Sequence, residues 1–497
     1  MRTRLAFLAV FLISACGLGY QLIAGSVSSY LLGDSVTQFS ITIGLYLSAL
    51  GVGSYLTKYI DRELATRFVH VELAVAMAGG FSALAILFAS TSPVWFRPLL
   101  YLNLLVIGTL VGIEIPLLMR IIKEELDFKD LLAKVLAWDY IGALAVALAF
   151  PLILLPRLGL VRTSLALGLL NAAVALWSTS LFKDKLKHLV PLRLQAGVVL
   201  WLLSLGLVFA KQLTQLSEHQ FYANEIVHAE TTPYQRVVVT RSTRDFQLFL
   251  SGALQFSSGD EYRYHEALVH PACASASEPR RVLVLGGGDG LAVREILRHA
   301  EVERVTVVDL DAAVTKLART YAPLAALNEN SLDDPRVEVV NADAMSWLDR
   351  DKRLWDVAIV DFPDPHSFSI GKLYTRTFYE RLARRIAPDG AVAIQSTNPR
   401  QAPRSYWCIA RTLEEAGWAV LPYRCGVPSF GEWGFMLATR RTVEIPREVP
   451  QGCRFLTAEF LPTLFELPGD VREPEDVEPN HLNTQSLVRY YERELSQ

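Results

Sequence analysis

The sequence contains few cysteines, and none of them falls in a pattern typical of a zinc site or a redox motif. Neither a CxxC pair nor a zinc-ligand spacing is present, so we predict no bound metal. Spacing alone leaves open whether the last four are free thiols or form disulfides. The five are Cys16, Cys273, Cys408, Cys425 and Cys453.

The chain also lacks an excess of positive charge, since its formal net charge is −3. The first 210 residues hold sixteen Lys/Arg and eleven Asp/Glu, so a half with a net charge of +5 is joined to a half that carries −8. The acidic second half favours cationic substrates and argues against a nucleic-acid partner.

Long apolar runs are confined to residues 1–210, which we predict to be a transmembrane domain in contact with a lipid bilayer. A helix of about 20 residues crosses the apolar core of a bilayer, and seven runs have about this length. Gln21, Glu114 and Asp139 fall inside or near them. A polar group at that depth is either functional or paired with a neighbour, and the sequence leaves both open. The runs are Leu5–Ile23, Phe39–Ile60, Val69–Ala89, Leu99–Met119, Val135–Leu155, Leu160–Trp177 and Leu194–Ala210.

A strand–helix–strand unit is predicted in the second half. The strand Val282–Leu285 leads into Gly286-Gly287-Gly288-Asp289-Gly290, and a second strand, Val305–Val308, ends on Asp309. Backbone NH groups at a helix N-terminus and an acid at the next strand end are typical of nucleoside binding. The third glycine of a dinucleotide fingerprint is missing, because Leu291 holds that place, and no phosphate-loop Lys-Ser/Thr follows. An S-adenosyl ligand, which has no phosphates, fits this loop better.

The fold class predicted from these patterns has three parts. A multi-pass α-helical membrane domain precedes a small β-hairpin subdomain, in which Arg236–Thr240 pairs with Phe246–Leu250. An α/β nucleoside-binding domain of the Rossmann-like, class I methyltransferase-like type follows, with further strands at Val337–Val340, Val357–Val360 and Val392–Gln395 and an edge strand at Phe435–Thr439. The predicted divisions are 1–210 (transmembrane), 211–227 (connector), 228–280 (β subdomain), 281–440 (α/β domain) and 441–497 (tail, ending in the amphipathic segment Leu487–Leu495).

Three further acids follow predicted strands, at the edge where open α/β sheets bind ligands. Asp343 is placed to accept a hydrogen bond from an adenine amine. Asp361 and Asp364, three residues apart in VDFPDP, predict a negative pocket in which an amine binds and a carboxylate takes its proton. The segment upstream of the glycine loop is also dense in hydrogen-bonding side chains, notably Tyr234-Gln235, Gln255, Tyr264 and His265.

Residues 228 to about 440 resemble the spermidine synthase (polyamine aminopropyltransferase) family, with the motifs in the family's order and spacing. The seven apolar runs resemble the membrane region that is fused to this enzyme in some bacterial members. The matching motifs are Tyr234-Gln235, GALQFSSGDEYRYHEALVH, GGGDG, Asp309, Asp343, DFPDP at Asp361–Pro365 and VPSFGEWGFML at Val427–Leu437.

The resemblance implies an enzyme that transfers an aminopropyl group from decarboxylated S-adenosylmethionine, a co-substrate rather than a permanently bound cofactor, to a diamine. Putrescine, giving spermidine and methylthioadenosine, is the family's usual acceptor. Asp361 would be the catalytic base, and His265 is given no such role. The donor would be held by Gln235, Gly286, Gly288, Asp289, Asp309 and Asp343, and the diamine by Gln255, Tyr264, His265, Asp364 and Phe430.

Two departures from the family pattern concern the amine pocket. Leu250-Ser251-Gly252 stands where the family has LDG, and Phe430 stands in place of a tyrosine, with two residues missing after it. The acceptor amine therefore stays open. On the donor side, the carboxylate of ordinary S-adenosylmethionine would meet Asp289, so like-charge rejection is expected to select the decarboxylated form.

Two other functions remain compatible with these residues, and the cell (inner) membrane is the expected location. One is a methyltransferase; the other is a polyamine transporter or sensor whose second domain only binds, with Glu114 and Asp139 as its support. A homodimer is a further open expectation. The N-terminus and the loops after runs two, four and six hold thirteen Lys/Arg, whereas the alternate loops hold three, which places the N-terminus in the cytoplasm. Seven crossings then leave the enzyme outside, away from its donor. We favour a cytoplasmic enzyme and an irregular fifth run, which carries Pro151 and Pro156.

Overall fold

The structure is a computed structural model that describes residues 2–32, 35–90, 93–123, 127–218, 222–441 and 444–495. Its contacts divide the chain into two units, Met1–Glu225 and Ile226–Gln497, which we call the helical unit and the enzymatic unit. The division falls within the predicted connector 211–227, of which residues 219–221 lie outside the described part.

The helical unit consists of long apolar helices joined by short turns. Among the described residues, five helical runs are long and apolar enough to cross a membrane, or six if the bent pair α3–α4 counts as one span. The helices are α1 (Arg2–Leu32), α2 (Ser35–Leu56), α3 (Leu64–Gly80), α4 (Ser82–Ala89), α5 (Pro93–Ile122), α6 (Phe128–Ala149), α7 (Leu155–Leu181), α8 (Leu189–Val208) and α9 (Ala210–Glu218).

One of the five runs, Phe128–Leu181, contains two of the predicted spans and folds back on itself. A Cβ atom at Gly19 would lie 3.5 Å from Val146 and 2.5 Å from Leu167, although a straight helix would separate those two residues by about 30 Å. A π-helical turn and the non-helical Gly159, at φ 72°, make the reversal. Adding the bent pair and this second arm to the five runs gives seven apolar passes. The fifth predicted run is therefore irregular at its end, yet α6 packs along α1.

A four-stranded sheet opens the enzymatic unit, where the sequence predicted a single hairpin. The predicted pair is present, and a strand is added on each side of it. Ser251 and Gly252 both adopt positive φ between the third and fourth strands, which is the geometry of a tight hairpin turn. The elements are β1 (Glu225–Thr231), β2 (Arg236–Arg241), β3 (Phe246–Leu250) and β4 (Ala253–Ser257), followed by the helix α10 (Glu261–Ser275).

The second sheet has seven strands in the order β10-β11-β9-β8-β5-β6-β7. Its five strands from β9 to β7 are parallel, and the central strand β5 is buried on both faces: Val282 and Val284 face one apolar core, while Leu283 and Leu285 face the other. The strands are β5 (Arg281–Gly286), β6 (Arg304–Asp309), β7 (Val337–Asn341), β8 (Trp355–Asp361), β9 (Ile386–Gln395), β10 (Ala419–Val427) and β11 (Gly431–Thr439).

The predicted edge position of Phe435–Thr439 is wrong. This segment belongs to β11, which lies inside the sheet, and β10 pairs with it antiparallel as the true edge. The sequence pattern does not predict β10, because the strand contains Pro422, which has no backbone NH and is typical of a strand break. At an edge that missing donor is tolerated.

Helices cover both faces of this sheet, and the strand order fixes the site. The chain leaves β5 towards β6 on one side and reaches β8 on the other, so a crevice opens at the carboxyl ends of β5 and β8. The helices are α11 (Leu291–Ile296), α12 (Ala312–Thr320), α13 (Ala322–Leu327), α14 (Ala344–Arg350), α15 (Phe368–Gly371), α16 (Arg376–Ala383), α17 (Pro403–Glu415) and α18 (Ser486–Leu495).

Candidate active site

The glycine loop after β5 lies directly against the end of β8. A Cβ atom at Gly286, where φ is +83°, would lie 2.1 Å from the carbonyl oxygen of Asp361. One at Gly288 would lie 2.6 Å from Asp309 Oδ2. Any side chain at these two positions would push the loop away from the two acids. Only glycine therefore allows the loop to pack this closely against both strand ends.

Asp309, at the end of β6, is held against this loop. Its Oδ2 accepts a hydrogen bond from Gly288 N at 3.0 Å, and its Oδ1 accepts one from Asp311 N at 2.8 Å. Burial raises the pKa of Asp309 to about 6, and the two backbone hydrogen bonds offset part of the rise. The carboxylate is therefore fixed in orientation.

Asp361, the predicted base, is half-buried at the end of β8. Its Oδ1 accepts a hydrogen bond of 2.6 Å from the hydroxyl of Tyr264. Burial raises the pKa of Asp361 to about 6, with Asp289 adding to the rise and His265 and Tyr264 opposing it. A carboxylate with this pKa is a stronger base than an exposed aspartate and is still ionised at neutral pH.

His265 is buried, and its Nδ1 lies 2.8 Å from Glu261 Oε2. Although burial lowers the pKa of this imidazole, the hydrogen bond and the charge of Glu261 raise it above the usual value. His265 is thus engaged by Glu261 rather than by Asp361, which accepts its hydrogen bond from Tyr264.

Asp364 is surrounded by donors from distant parts of the chain. Its Oδ2 accepts from the Tyr491 hydroxyl at 2.7 Å and from Thr397 Oγ1 at 3.4 Å, and its Oδ1 accepts from Gln395 Nε2 at 3.2 Å. Burial raises the pKa of Asp364, and the hydrogen bonds from Tyr491 and Gln395 offset part of this rise. Thr397 has φ 61°, a conformation that costs a residue with a side chain free energy and is typical of functional sites.

Tyr491 and Gln395 were not predicted as site residues. Gln395 ends a predicted strand, and Tyr491 lies in the amphipathic segment that forms α18, but nothing in either local pattern indicates chemistry. The tail that carries Tyr491 is anchored by Glu266, whose carboxylate accepts hydrogen bonds from the backbone NH groups of residues 454–456.

Three aromatic rings lie next to the two acids. Tyr264 and Phe430 have ring centroids 6.2 Å apart, and Phe430 and Trp433 are 5.0 Å apart. Trp433 Nε1 donates to Gln395 Oε1 at 3.2 Å, which links this aromatic group to the donors of Asp364. The arrangement offers flat apolar walls, suited to the methylene chain of an amine, beside carboxylates suited to its ammonium groups.

The other predicted residues lie at the donor end or outside the site. Gln235 Nε2 donates to Asp311 Oδ2 at 3.1 Å, near Asp309. Asp343 accepts from Lys372 Nζ at 2.7 Å; although burial raises its pKa, the hydrogen bonds from Lys372 and Ser346 hold it below the usual value.

Asp289 and Gln255 complete the set. Asp289 is 9% exposed and accepts from Leu291 N at 2.9 Å, and burial raises its pKa. Gln255 donates to the backbone of its own strand, at Ala253 O.

One cluster of possible metal ligands is not visible in the spacing of the cysteines along the sequence. His270, Glu295 and Cys453 place potential ligand atoms within 4.8 Å of one another. Cys453 Sγ lies 3.2 Å from His270 Nε2, and Arg298 Nε lies 2.8 Å from Glu295 Oε2. A guanidinium at that oxygen repels a second cation, and burial raises the pKa of the Cys453 thiol to about 12. The five cysteines are free, and we assign no metal to this cluster.

Comparisons with known proteins match both units. The family model described as Spermine/spermidine synthase domain matches residues 261–447. Polyamine aminopropyltransferase of Leptospira interrogans is 49% identical over 496 residues, which cover 99% of this chain and 99% of that protein. Polyamine aminopropyltransferase 2 of Ralstonia nicotianae is 52% identical over 500 residues, covering 99% and 98%, and the Mycobacterium tuberculosis enzyme is 38% identical over 498 residues, covering 97% and 94%.

Among solved structures, a crystal structure of spermidine synthase in complex with the transition state analogue AdoDATO is 25% identical and has a TM-score of 0.46. It covers 49% of this chain and 86% of its own. The curated relatives match from end to end, with the helical unit included. The chain therefore belongs to the polyamine aminopropyltransferase family, and it is an enzyme that transfers an aminopropyl group from decarboxylated S-adenosylmethionine to an amine.

Proposed function

We propose that the acceptor is a diamine, with putrescine converted to spermidine, and that Asp361 and Asp364 divide the work on it. The observation that carries this proposal is the pair of half-buried carboxylates at the end of β8, one beside the glycine loop and the other three residues further on. Asp361 takes the proton of the attacking amine, and Asp364 holds the ammonium group at the other end of the diamine.

The reaction needs a base because the acceptor arrives protonated. An alkylammonium group has a pKa of about 10, like that of a lysine, and only the neutral amine has an electron pair to donate. In the step we propose, the ammonium loses a proton to Asp361. The amine nitrogen then attacks the aminopropyl carbon next to sulfur, the carbon–sulfur bond breaks, and its electrons neutralise the sulfonium. Methylthioadenosine leaves, and the charge passes to the new secondary ammonium.

The position of the base is supported by its partners. Tyr264 holds Asp361 through a 2.6 Å hydrogen bond, which leaves the second carboxylate oxygen for the amine. The second oxygen lies beside the glycine loop, 3.4 Å from where a Cβ of Gly287 would be. An amine that bonds to it therefore sits at the end of the loop, where the donor's aminopropyl carbon is expected.

The donor is proposed to lie along the glycine loop, from Gly286 and Gly288 to the end of β6. Asp309 accepts hydrogen bonds from the ribose hydroxyls, and Asp343 accepts one from the adenine amine. Asp289 faces the ammonium group of the aminopropyl chain. Gln235, bonded to Asp311, supports this end of the site. Gln255, Tyr264, His265 and Phe430 remain proposals on the diamine side, with Gln255 the weakest of them because its amide is bonded to its own strand.

Product identification tests the proposal. The purified full-length chain is incubated with decarboxylated S-adenosylmethionine and a panel of diamines of different chain length, and the products are identified by mass spectrometry. We expect spermidine from putrescine. Absence of transfer to every diamine, or a methylated product with S-adenosylmethionine, would contradict the proposal.

We also propose that the helical unit is embedded in the cell membrane and that the enzymatic unit is cytoplasmic. Seven passes place the two ends of the helical unit on opposite faces. The thirteen basic residues on the N-terminal side then lie outside, against the usual charge bias. We retain the cytoplasmic placement because the family activity is established by the relatives and requires a donor expected to be supplied inside the cell. Oligomeric state, with a homodimer expected, is measured on the same preparation by light scattering.

Labelling with a membrane-impermeant thiol reagent in intact cells decides the side. The native cysteines are poor targets because Cys273, Cys408 and Cys425 are buried, so exposed positions are used instead. Ser277→Cys lies in the enzymatic unit, and Asp61→Cys lies in the helical unit after α2. We expect label on Asp61→Cys and none on Ser277→Cys until the cells are lysed. The reverse pattern would place the enzyme outside.

A further inference from the structure

Two glutamates lie completely buried inside the helical unit without a counter-ion. Glu72 on α3 and Glu114 on α5 are both 0% exposed, and Glu114 lies within electrostatic range of Glu72. The described residues provide no lysine, arginine or histidine within ion-pair distance of either carboxylate. A charged or acidic group at such depth is costly and is found where a protein handles ions or polar substrates.

The oxygen atoms of this pair are largely unsatisfied. Asn171 Nδ2 donates to Glu72 Oε2 at 3.2 Å, but Glu72 Oε1 and both carboxylate oxygens of Glu114 have no hydrogen-bond partner among the described residues. Native interiors pair nearly all of their buried polar atoms, so three unpartnered oxygens in one place call for a ligand.

Two neutral side chains add unpartnered groups to the same place. Asn171 on α7 is 1% exposed, and its Oδ1 is unpartnered while its amide nitrogen bonds to Glu72. Tyr20 on α1 is also 1% exposed, its hydroxyl is unpartnered, and it lies within electrostatic range of both glutamates. Helices α1, α3, α5 and α7 pack against one another in this region, so four helices contribute one group each.

We propose that Glu72 and Glu114 form a second binding site, inside the helical unit, for an alkylammonium compound of the diamine class. Two carboxylates balance two ammonium groups, and the unpartnered oxygens accept their NH donors. The surrounding apolar cluster, which contains Leu73, Val111 and Leu167, suits a methylene chain and offers nothing to the water shell of a metal ion. The choice of an amine rests on the family activity, whose substrates and products carry ammonium groups.

Equilibrium binding to the full-length protein in lipid nanodiscs tests this site. Radiolabelled putrescine is titrated without the nucleoside donor, so that binding is measured apart from transfer. We expect two putrescine molecules per wild-type chain and one per Glu72→Gln/Glu114→Gln chain. Asp61→Asn, which removes an exposed acid of the same unit, is the matched control and should keep two.

The two sites are separated by a second pair of variants. Asp364→Asn should remove the enzymatic site and leave one binding event, and the combination with Glu72→Gln/Glu114→Gln should leave none. If Asp364→Asn leaves both events intact, the proposed active site is wrong and the site in the helical unit stands. If the double glutamine variant leaves both intact, the site in the helical unit is wrong and the active site stands.

Thermal unfolding guards against a variant that fails to fold. Replacing an unpaired buried acid by its neutral amide is expected to leave the protein intact or more stable. Putrescine should raise the unfolding temperature of Asp364→Asn and should not raise it in the combined variant. Tyr20→Phe, which removes only a hydroxyl, should weaken the second binding event severalfold. Stabilisation by sodium chloride, but not by choline chloride or putrescine, would identify a metal-ion site. A single binding event in the wild-type chain would indicate that the two glutamates are protonated and structural. Either result overturns the proposal.

Discussion

The two units of this chain hold their acidic side chains to different degrees. In the enzymatic unit, Asp309, Asp361 and Asp364 each accept at least one hydrogen bond from a fixed donor. In the helical unit, Glu114 accepts none from the described residues. A carboxylate held by donors is oriented before its substrate arrives, which lowers the cost of reaching the reactive geometry. A carboxylate without such donors either binds a proton or accepts hydrogen bonds from a ligand.

The largest expected effect comes from removing Asp361, the proposed base. Asp361→Asn should lower kcat by about 10²–10⁴, the usual contribution of a positioned base, and leave donor binding intact. Asp356→Asn is the control, since Asp356 belongs to the same strand but pairs with Arg281 at the other end. Turnover near the wild-type value in Asp361→Asn would remove this residue from the mechanism.

The pH dependence sharpens the same point. Because burial raises the pKa of Asp361 to about 6, its basic form is lost as pH falls through that value. We expect kcat/KM to drop about tenfold per pH unit below it. Tyr264→Phe removes a hydrogen bond that lowers this pKa, so the inflection should move to higher pH. An unmoved inflection would assign it to another group.

The anchoring acid should respond through substrate affinity. Tyr491→Phe removes the 2.7 Å hydrogen bond to Asp364. Without this donor Asp364 is less firmly oriented towards the ammonium group, so KM for the diamine should rise severalfold, with a smaller change in kcat. Tyr490→Phe is the matched control, since its hydroxyl contacts only the tail, at Glu478 N. Equal effects of the two variants would show that the tail, not the hydroxyl, matters.

Asp289 tests whether a held acid also selects the donor. With Asp289→Asn, the affinity for decarboxylated S-adenosylmethionine should fall and that for S-adenosylmethionine should rise, because the repulsion of its carboxylate is relieved. Competition binding gives the ratio of the two. A ratio equal to that of the wild-type chain would show that discrimination lies elsewhere.

The smallest effect is expected at Phe430, whose ring contacts Tyr264 and Trp433. An aromatic face reads shape but accepts no strong hydrogen bond, so the wild-type enzyme should use diamines of different length at comparable rates. Phe430→Tyr should sharpen the preference severalfold. A wild-type enzyme confined to putrescine would contradict this reading of the pocket.

Local sequence patterns predicted most of the fold of the enzymatic unit correctly. The glycine loop, Asp309 and the five parallel strands were predictable because strand periodicity, turn residues and strand-end acids lie within a few residues of one another. The edge strand β10 was missed, because Pro422 hides a strand that needs no donor at that position.

The site was predicted less completely than the fold. Tyr491 lies 127 residues from Asp364 along the chain, and no local pattern connects them. The apolar runs contain Glu114, which was predicted to be functional or paired, and also Glu72 and Asn171, for which no role was predicted. These two residues lie on different helices and contact each other only in the folded chain, and a pattern along the sequence does not contain that contact.

The tail has a consequence for the diamine side of the site. Glu266 holds the backbone of residues 454–456, and the chain then continues to α18, where Tyr491 completes the donors of Asp364. The acid proposed to bind the amine is thus oriented partly by a segment outside the seven-stranded sheet. Loss of α18 by proteolysis would leave Asp364 with Gln395 and Thr397 as hydrogen-bond donors. The proposed base would keep its own partner, Tyr264, so such a cut would weaken the amine anchor and spare the base.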